Sequence, residues 1–219
     1  MARIPLGEDA DNIRVDAITN EVFVSYGHGG LAVIDVTSRR KIAEIDLKTH
    51  PEGFQLDQAN NRIFVNDPTN QAIVVVDRAA GKEMARWPTG DGGNFPMALY
   101  PKAEHVVVAF RNPARLAAYS IADGAAVANV ELCADADDVF VDAKRERVYV
   151  SCGDGHLDVF DARGNAYRRI GHLVTQLGAR TSLFVPELNL LFIAARATSS
   201  EPAAIWVFRS SDANNESLQ

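Results

Sequence analysis

Apolar residues along the chain fall into short runs that repeat at a fixed distance. The segments "EVFVSY", "RIFVND", "HVVVAF", "RVYVSC" and "LLFIAA" align on Phe23, Phe64, Val107, Tyr149 and Phe192, at intervals of 41, 43, 42 and 43 residues. A second apolar run follows each: "LAVIDV", "IVVVDR", "LAAYSI", "LDVFDA" and "IWVFRS", with Asp35, Asp77, Ser120, Asp161 and Arg209 in step. Only the last of these intervals is long, at 48, because "ATSSEP" is inserted before it. A period of this size marks a repeat architecture built from one supersecondary unit.

Each unit reads as four short strands rich in β-branched and aromatic residues, separated by Gly, Asn, Asp and Pro. In the fourth unit, strand A is "DVFVD", strand B "RVYVS", strand C "HLDVFD" and strand D "AYRRIGHL". Nearly continuous apolar runs predict strands A to C covered on both faces, with D exposed. The fold class is therefore all-β, a propeller of five four-stranded blades at about 8–47, 52–89, 94–132, 137–173 and 180–209 within one domain, 1–209, followed by a polar tail, 210–219. The fifth unit lacks a strand D, and "RIPLG" at the start matches "RWPTG", strand D of the second unit. The expectation is that residues 2–6 close the last blade and give a monomeric ring. An open arc of a seven-bladed propeller is the alternative, and its exposed blade faces would drive association.

The strand B tetrapeptides "VFVS", "VYVS" and "IFVN" resemble those that name the bacterial YVTN-repeat β-propellers, and the likeness runs from Arg3 to Arg209. The resemblance implies a propeller fold, in a family of exported or periplasmic proteins that ordinarily have seven blades and an N-terminal leader. With five units, this chain would be a shortened member lacking the first two blades. The same scaffold hosts unrelated activities, so the resemblance speaks to fold more than to chemistry.

The net charge of −7 argues against nucleic acid or an anionic membrane as the main partner and leaves cationic ligands or metal ions compatible. No apolar run approaches the length of a membrane-spanning helix, and "MARIPLGEDADN" lacks the apolar core of a signal peptide. Cys133 and Cys152, 19 residues apart, lack the spacing of a zinc site and read as two ordinary thiols, with one disulfide as the other possibility.

Polar residues in the D–A and B–C loops, which share one face of a propeller, carry the candidate chemistry. "DADNIRVD" from Asp9 and "DADDVFVD" from Asp135 align residue by residue. Their aspartates either cap loop amides one by one or form a carboxylate ring in which Asp11, Asp137 and Asp138, with Asn12 beside them, hold calcium or magnesium. His28, His50 and His156 are loop histidines on the same face, whereas His105 and His172 are placed away from it. Arg111 and Arg180 could fork onto an anionic ligand or pair with a neighbouring Asp. Tyr26 is the aromatic candidate for a pocket wall. Signatures of serine hydrolases, zincins and nucleotide enzymes are absent. The expected function is a non-enzymatic ligand-binding or protein-interaction propeller. The alternative is a metal-assisted lyase or lactonase using a loop-face His with carboxylates.

Overall fold

The computed structural model describes residues 2–27 and 29–211. The chain is all-β, with five propeller blades. The first blade is β1 (Ala10–Asp16), β2 (Glu21–Tyr26), β3 (Gly30–Asp35) and β4 (Arg40–Asp46); the second is β5 (Phe54–Asp57), β6 (Arg62–Asp67), β7 (Ala72–Asp77) and β8 (Lys82–Pro88). The third is β9 (Asn94–Tyr100), β10 (His105–Arg111), β11 (Ala114–Ser120) and β12 (Ala126–Glu131), and the fourth is β13 (Ala136–Asp142), β14 (Arg147–Cys152), β15 (His156–Asp161) and β16 (Arg168–Val174). β17 (Ser182–Val185), β18 (Leu190–Ala195) and β19 (Ala204–Arg209) form the fifth. Every blade is an antiparallel meander in sequence order. Residues 2–6, the expected closing strand, lie outside the assigned strands, and among the described residues the fifth sheet has three. Pro5 has no amide hydrogen to give to a ladder.

The repeat has a backbone cause. The residue before each strand B, namely Asn20, Asn61, Glu104, Glu146 and Asn189, is left-handed, with φ between 53° and 59°. Its carbonyl accepts the amide of the residue just after strand C in the same blade: Val36, Arg78, Ile121, Ala162 and Ser210. The bond locks the B–C hairpin at its open end in all five blades. Ser210, placed by its sequence in the polar tail, is buried and belongs to this bond; its hydroxyl also accepts from Tyr149 at 3.0 Å. The rest of the tail, from residue 212, lies outside the described residues. The in-step residues at the ends of strand C turn the chain into strand D. Asp35, Asp77 and Asp161 accept the amides of Ser38, Ala80 and Arg163, and the Ser120 hydroxyl accepts that of Ala122.

The chain divides into two compact units, Met1–Phe95 and Pro96–Gln219. In the first, Phe23, Leu31, Val33 and Ile45 of the first blade pack with Phe54, Ile63, Val65 and Val74 of the second. In the other, one cluster joins the third and fourth blades through Tyr100, Val107, Leu116, Val139, Val150 and Phe160. Another joins the fourth and fifth through Tyr149, Leu157, Phe184 and Ile193. Fully burying each such side chain contributes roughly 1.5–3 kcal/mol. In the first four blades strands B and C are buried and strands D exposed, as the pattern predicts, whereas β19, strand C of the fifth, is largely exposed. Strand A departs from it in the first blade. Arg14 lies over the Phe54 ring at 5.4 Å, so the alternate residues Ile13 and Val15 face outward, Val15 being 64% exposed. The fifth blade behaves likewise: Phe184 and Trp206 pack inward, while Leu183, Ile205 and Val207 are exposed.

Candidate functional site

The two aligned Asp loops share one backbone geometry. Asp9 and Asp135 are left-handed at φ 57° and 62°, and each carbonyl accepts an amide from the facing B–C loop, of Gly27 and Gly153. Each is followed by a β-bulge, between Ala10 and Ile13 and between Ala136 and Asp138. An aspartate tolerates this conformation better than most residues because its short polar side chain bonds locally. In both loops its carboxylate turns toward a basic residue of the following D–A loop.

In the second unit that residue is Arg180, at 2.6 Å from both carboxylate oxygens of Asp135. Arg111 completes a four-membered charge cluster: its Nε donates to the Ala136 carbonyl at 2.8 Å and lies 3.4 Å from Asp135, and its NH2 pairs with Asp137. Arg180 Nε is 3.5 Å from Asp137. The hydrogen bond to Asp135 raises the Arg180 pKa above its ordinary value. Gly153 belongs to the same arrangement, because a Cβ there would collide with the Asp135 carboxylate. Asp138 accepts the Ser182 amide at 2.7 Å. Asp137 thus faces a guanidinium, and Asp138 receives a backbone amide.

In the first unit the basic partner is His50. Its Nδ1–H donates to the Gly27 carbonyl at 2.8 Å, which leaves Nε2 facing Asp9 and Glu52, each at 3.7 Å. Asp11 is exposed and accepts from Asn12 Nδ2 at 2.9 Å, and the Asn12 amide donates to Ser25 at 2.9 Å. Tyr26 stacks closely on Gly30 and hydrogen-bonds to Glu44; that bond, then burial and the charges of Glu44 and Asp46, push its pKa up to about 12. It is engaged with its own blade. His28 lies outside the described residues.

His156 and His172 meet, contrary to the expectation that His172 sits elsewhere. Their rings stack with centres 4.1 Å apart and planes 14° from parallel. Asp154 accepts from His156 Nδ1 at 3.1 Å and Asp158 from His172 Nδ1 at 2.5 Å. Asp158 is fully buried, and also receives the Cys133 amide at 2.8 Å and Arg169 at 3.2 Å. A charged residue inside the apolar strand "HLDVFD" was the available sign of this network. Cys133 and Cys152 form a disulfide, so they are not free thiols. Together with Asp154 they are the one group of three His, Cys, Asp or Glu ligand atoms within 4.8 Å of one another among the described residues, and the sulfur–sulfur bond takes their thiolates out of metal chemistry.

Asp9, Glu52, Asp135, Asp154, Asp158 and His172 are the polar participants that sequence reasoning left out of the site. The aligned loops had pointed at Asp9 and Asp135 without showing their partners. No family model matches this chain, and no curated protein matches it.

Proposed function

We propose that the protein is a non-enzymatic binding propeller of the YVTN type, presenting its loop face to a small-molecule or protein ligand. The observation that carries this reading is the Arg111–Asp137 and Arg180–Asp135 cluster. Four charged side chains from three segments of the chain are held in fixed mutual geometry, and each carboxylate already faces a guanidinium. Such a surface recognises a ligand by exchanging partners: a carboxylate or phosphate on the arginines, or an ammonium on the aspartates. The Cys133–Cys152 bond supports an oxidising compartment, in keeping with the exported members of the resembled family.

A second reading rests on His50. An imidazole whose Nδ1–H is held by a carbonyl and whose Nε2 faces two carboxylates has the donor set of a metal-assisted lyase or lactonase. A thermal-shift screen of charged small molecules, followed by calorimetry on the parent, Arg111→Ala and Arg180→Ala, tests the first reading; a hit whose affinity falls in both variants supports it. Metal-dependent lactone turnover that disappears in His28→Ala or His50→Ala would replace it with the second.

A further inference from the structure

We infer that in the reduced chain Cys133, Cys152 and Asp154 form a zinc site, so that this corner of the fourth blade is cross-linked by a disulfide or by a metal ion according to the redox state of its surroundings. One sulfur from each cysteine and one carboxylate oxygen of Asp154 lie within 4.8 Å of one another. Paired-cysteine spacing does not show this group, because its third member is an aspartate on the turn that follows Cys152.

The backbone brings the three together without help from the sulfur–sulfur bond. Cys152 ends β14 and starts the turn into β15, which the Gly155 amide closes on the Cys152 carbonyl. Asp154, in that turn, is clamped to Ala134, the neighbour of Cys133. Its amide donates to the Ala134 carbonyl at 3.2 Å, and its carboxylate accepts the Ala134 amide at 2.7 Å. On either side, the Gly153 amide donates to the Asp135 carbonyl at 2.8 Å and the Cys133 amide to Asp158 at 2.8 Å. These bonds keep the Cys133 loop on the turn when the disulfide is absent. The distances suit an ion. In a tetrahedral site, Zn–S bonds of about 2.3 Å and a Zn–O bond of about 2.1 Å set the ligand atoms about 3.6–3.8 Å apart. Unbonded sulfurs separate to van der Waals contact, close to that spacing, and Cα atoms 5.8 Å apart accommodate the change by side-chain rotation.

Electrostatics favour the ion as well. A carboxylate beside two thiols disfavours their thiolate forms. A divalent cation among the three reverses this and binds as the thiols release their protons. Thiolate sulfur selects zinc over calcium and magnesium, which take oxygen ligands. Both cysteines are buried and Asp154 is partly exposed, so water fills the fourth position on the Asp154 side. The Ala134 amide and His156 Nδ1, at 3.1 Å, hydrogen-bond the Asp154 carboxylate, as the outer shell of a ligating carboxylate does. Oxidation ends the binding. Two electrons pass from the thiolates through a mixed disulfide to a small-molecule disulfide, which takes up two protons and leaves as two thiols; the Cys133–Cys152 bond forms and zinc is released. None of the four side chains of the Arg–Asp cluster takes part.

Cobalt(II), a spectroscopic stand-in for zinc, tests the inference on the untagged full chain refolded from denaturant, free of metal, in a phosphine reductant, with tryptophan fluorescence reporting the fold. One equivalent of cobalt gives the thiolate-to-metal charge-transfer band of two sulfur ligands and the visible bands of a tetrahedral ion, and zinc abolishes both by displacement. The disulfide-bonded parent gives no charge-transfer band. Cys133→Ser and Cys152→Ser each leave about half the band per bound cobalt and lower the affinity at least about tenfold, whereas Asp154→Asn keeps the two-sulfur band and lowers the affinity by about tenfold. Should the reduced chain need metal to fold, zinc restores the native fluorescence; a reduced chain that stays unfolded with zinc overturns the inference. A folded, reduced parent without the charge-transfer band, or an affinity that Asp154→Asn leaves unchanged, overturns it as well.

Discussion

Arg180 reaches back from the loop entering the fifth blade to place one guanidinium nitrogen 2.6 Å from both oxygens of Asp135, in the loop entering the fourth. The two residues are 45 apart in sequence, about one repeat, so the pair joins equivalent loops of successive blades. The side chains are 39% and 44% exposed, and the pair belongs with solvent-screened interactions. Arg180→Ala and Asp135→Asn each destabilise the fold by about 1 kcal/mol or less, and a double-mutant cycle in urea returns a positive coupling that shrinks at high salt. No coupling at low salt contradicts the pairing.

The Cys133–Cys152 bond closes a loop of about 20 residues and ties the D–A loop of the fourth blade to the end of its strand B. Constraining the unfolded chain over that length contributes about 3 kcal/mol. The Cys133→Ser, Cys152→Ser chain loses roughly this amount in denaturant titration, and the parent loses the same in excess dithiol. Two alkylatable thiols in the unreduced parent, found by mass spectrometry, refute the bond.

Asp67 is buried and accepts from Thr49 at 2.5 Å, from Asn70 at 2.8 Å and from Arg86 at 2.6 Å. Burial alone raises its pKa, but the bonds to Thr49, Asn70 and Arg86 outweigh it and hold the carboxyl below its ordinary value. The folded pKa lies below the unfolded one. The stabilisation is therefore complete above about pH 4 and lost as pH falls through the folded value. Asp67→Asn destabilises by roughly 3–5 kcal/mol at neutral pH, and the difference from the parent narrows in acid. A difference constant from pH 7 to pH 2 contradicts this assignment.

Glu104 adopts φ 56° where the first, second and fifth blades use asparagine. A left-handed non-glycine residue carries a cost that asparagine reduces by bonding locally. Glu104→Asn, on the surface, raises stability by about 0.5–1 kcal/mol, measured as a higher urea midpoint with unchanged slope.

Outward-facing aliphatic residues on β1 (Ile13, Val15) and on β17 and β19 (Leu183, Ile205, Val207) form apolar stripes on two blades. Among the described residues β19 has a strand on one side only in its sheet, and an apolar edge of this kind is expected to pair with another copy of the chain. Light scattering shows association that rises with concentration, and Ile205→Lys with Val207→Lys reduces it. A monomer across the soluble range in the parent chain counts against this.

The sequence by itself determined the five-fold repeat, the strand order within each blade and the exposed D strands, because these rest on local alternation and turn chemistry. Asp35, Asp77, Ser120 and Asp161 stood in step because each must turn strand C toward strand D. The loop face was legible as a set of residues and not as a set of partners. Tertiary structure decided that Arg180 meets Asp135 and that the two cysteines bond. The His156–His172 pair shows why. From Asp161 opposite Arg168, unbroken pairing would set His172 opposite Leu157, on the other face of the sheet. A bulge between Val159 and Phe160 shifts the register by one residue and sets it opposite Asp158 instead. A one-residue slip moves every later side chain to the opposite face. That slip depends on how a whole blade packs, which the alternation of a single strand does not encode.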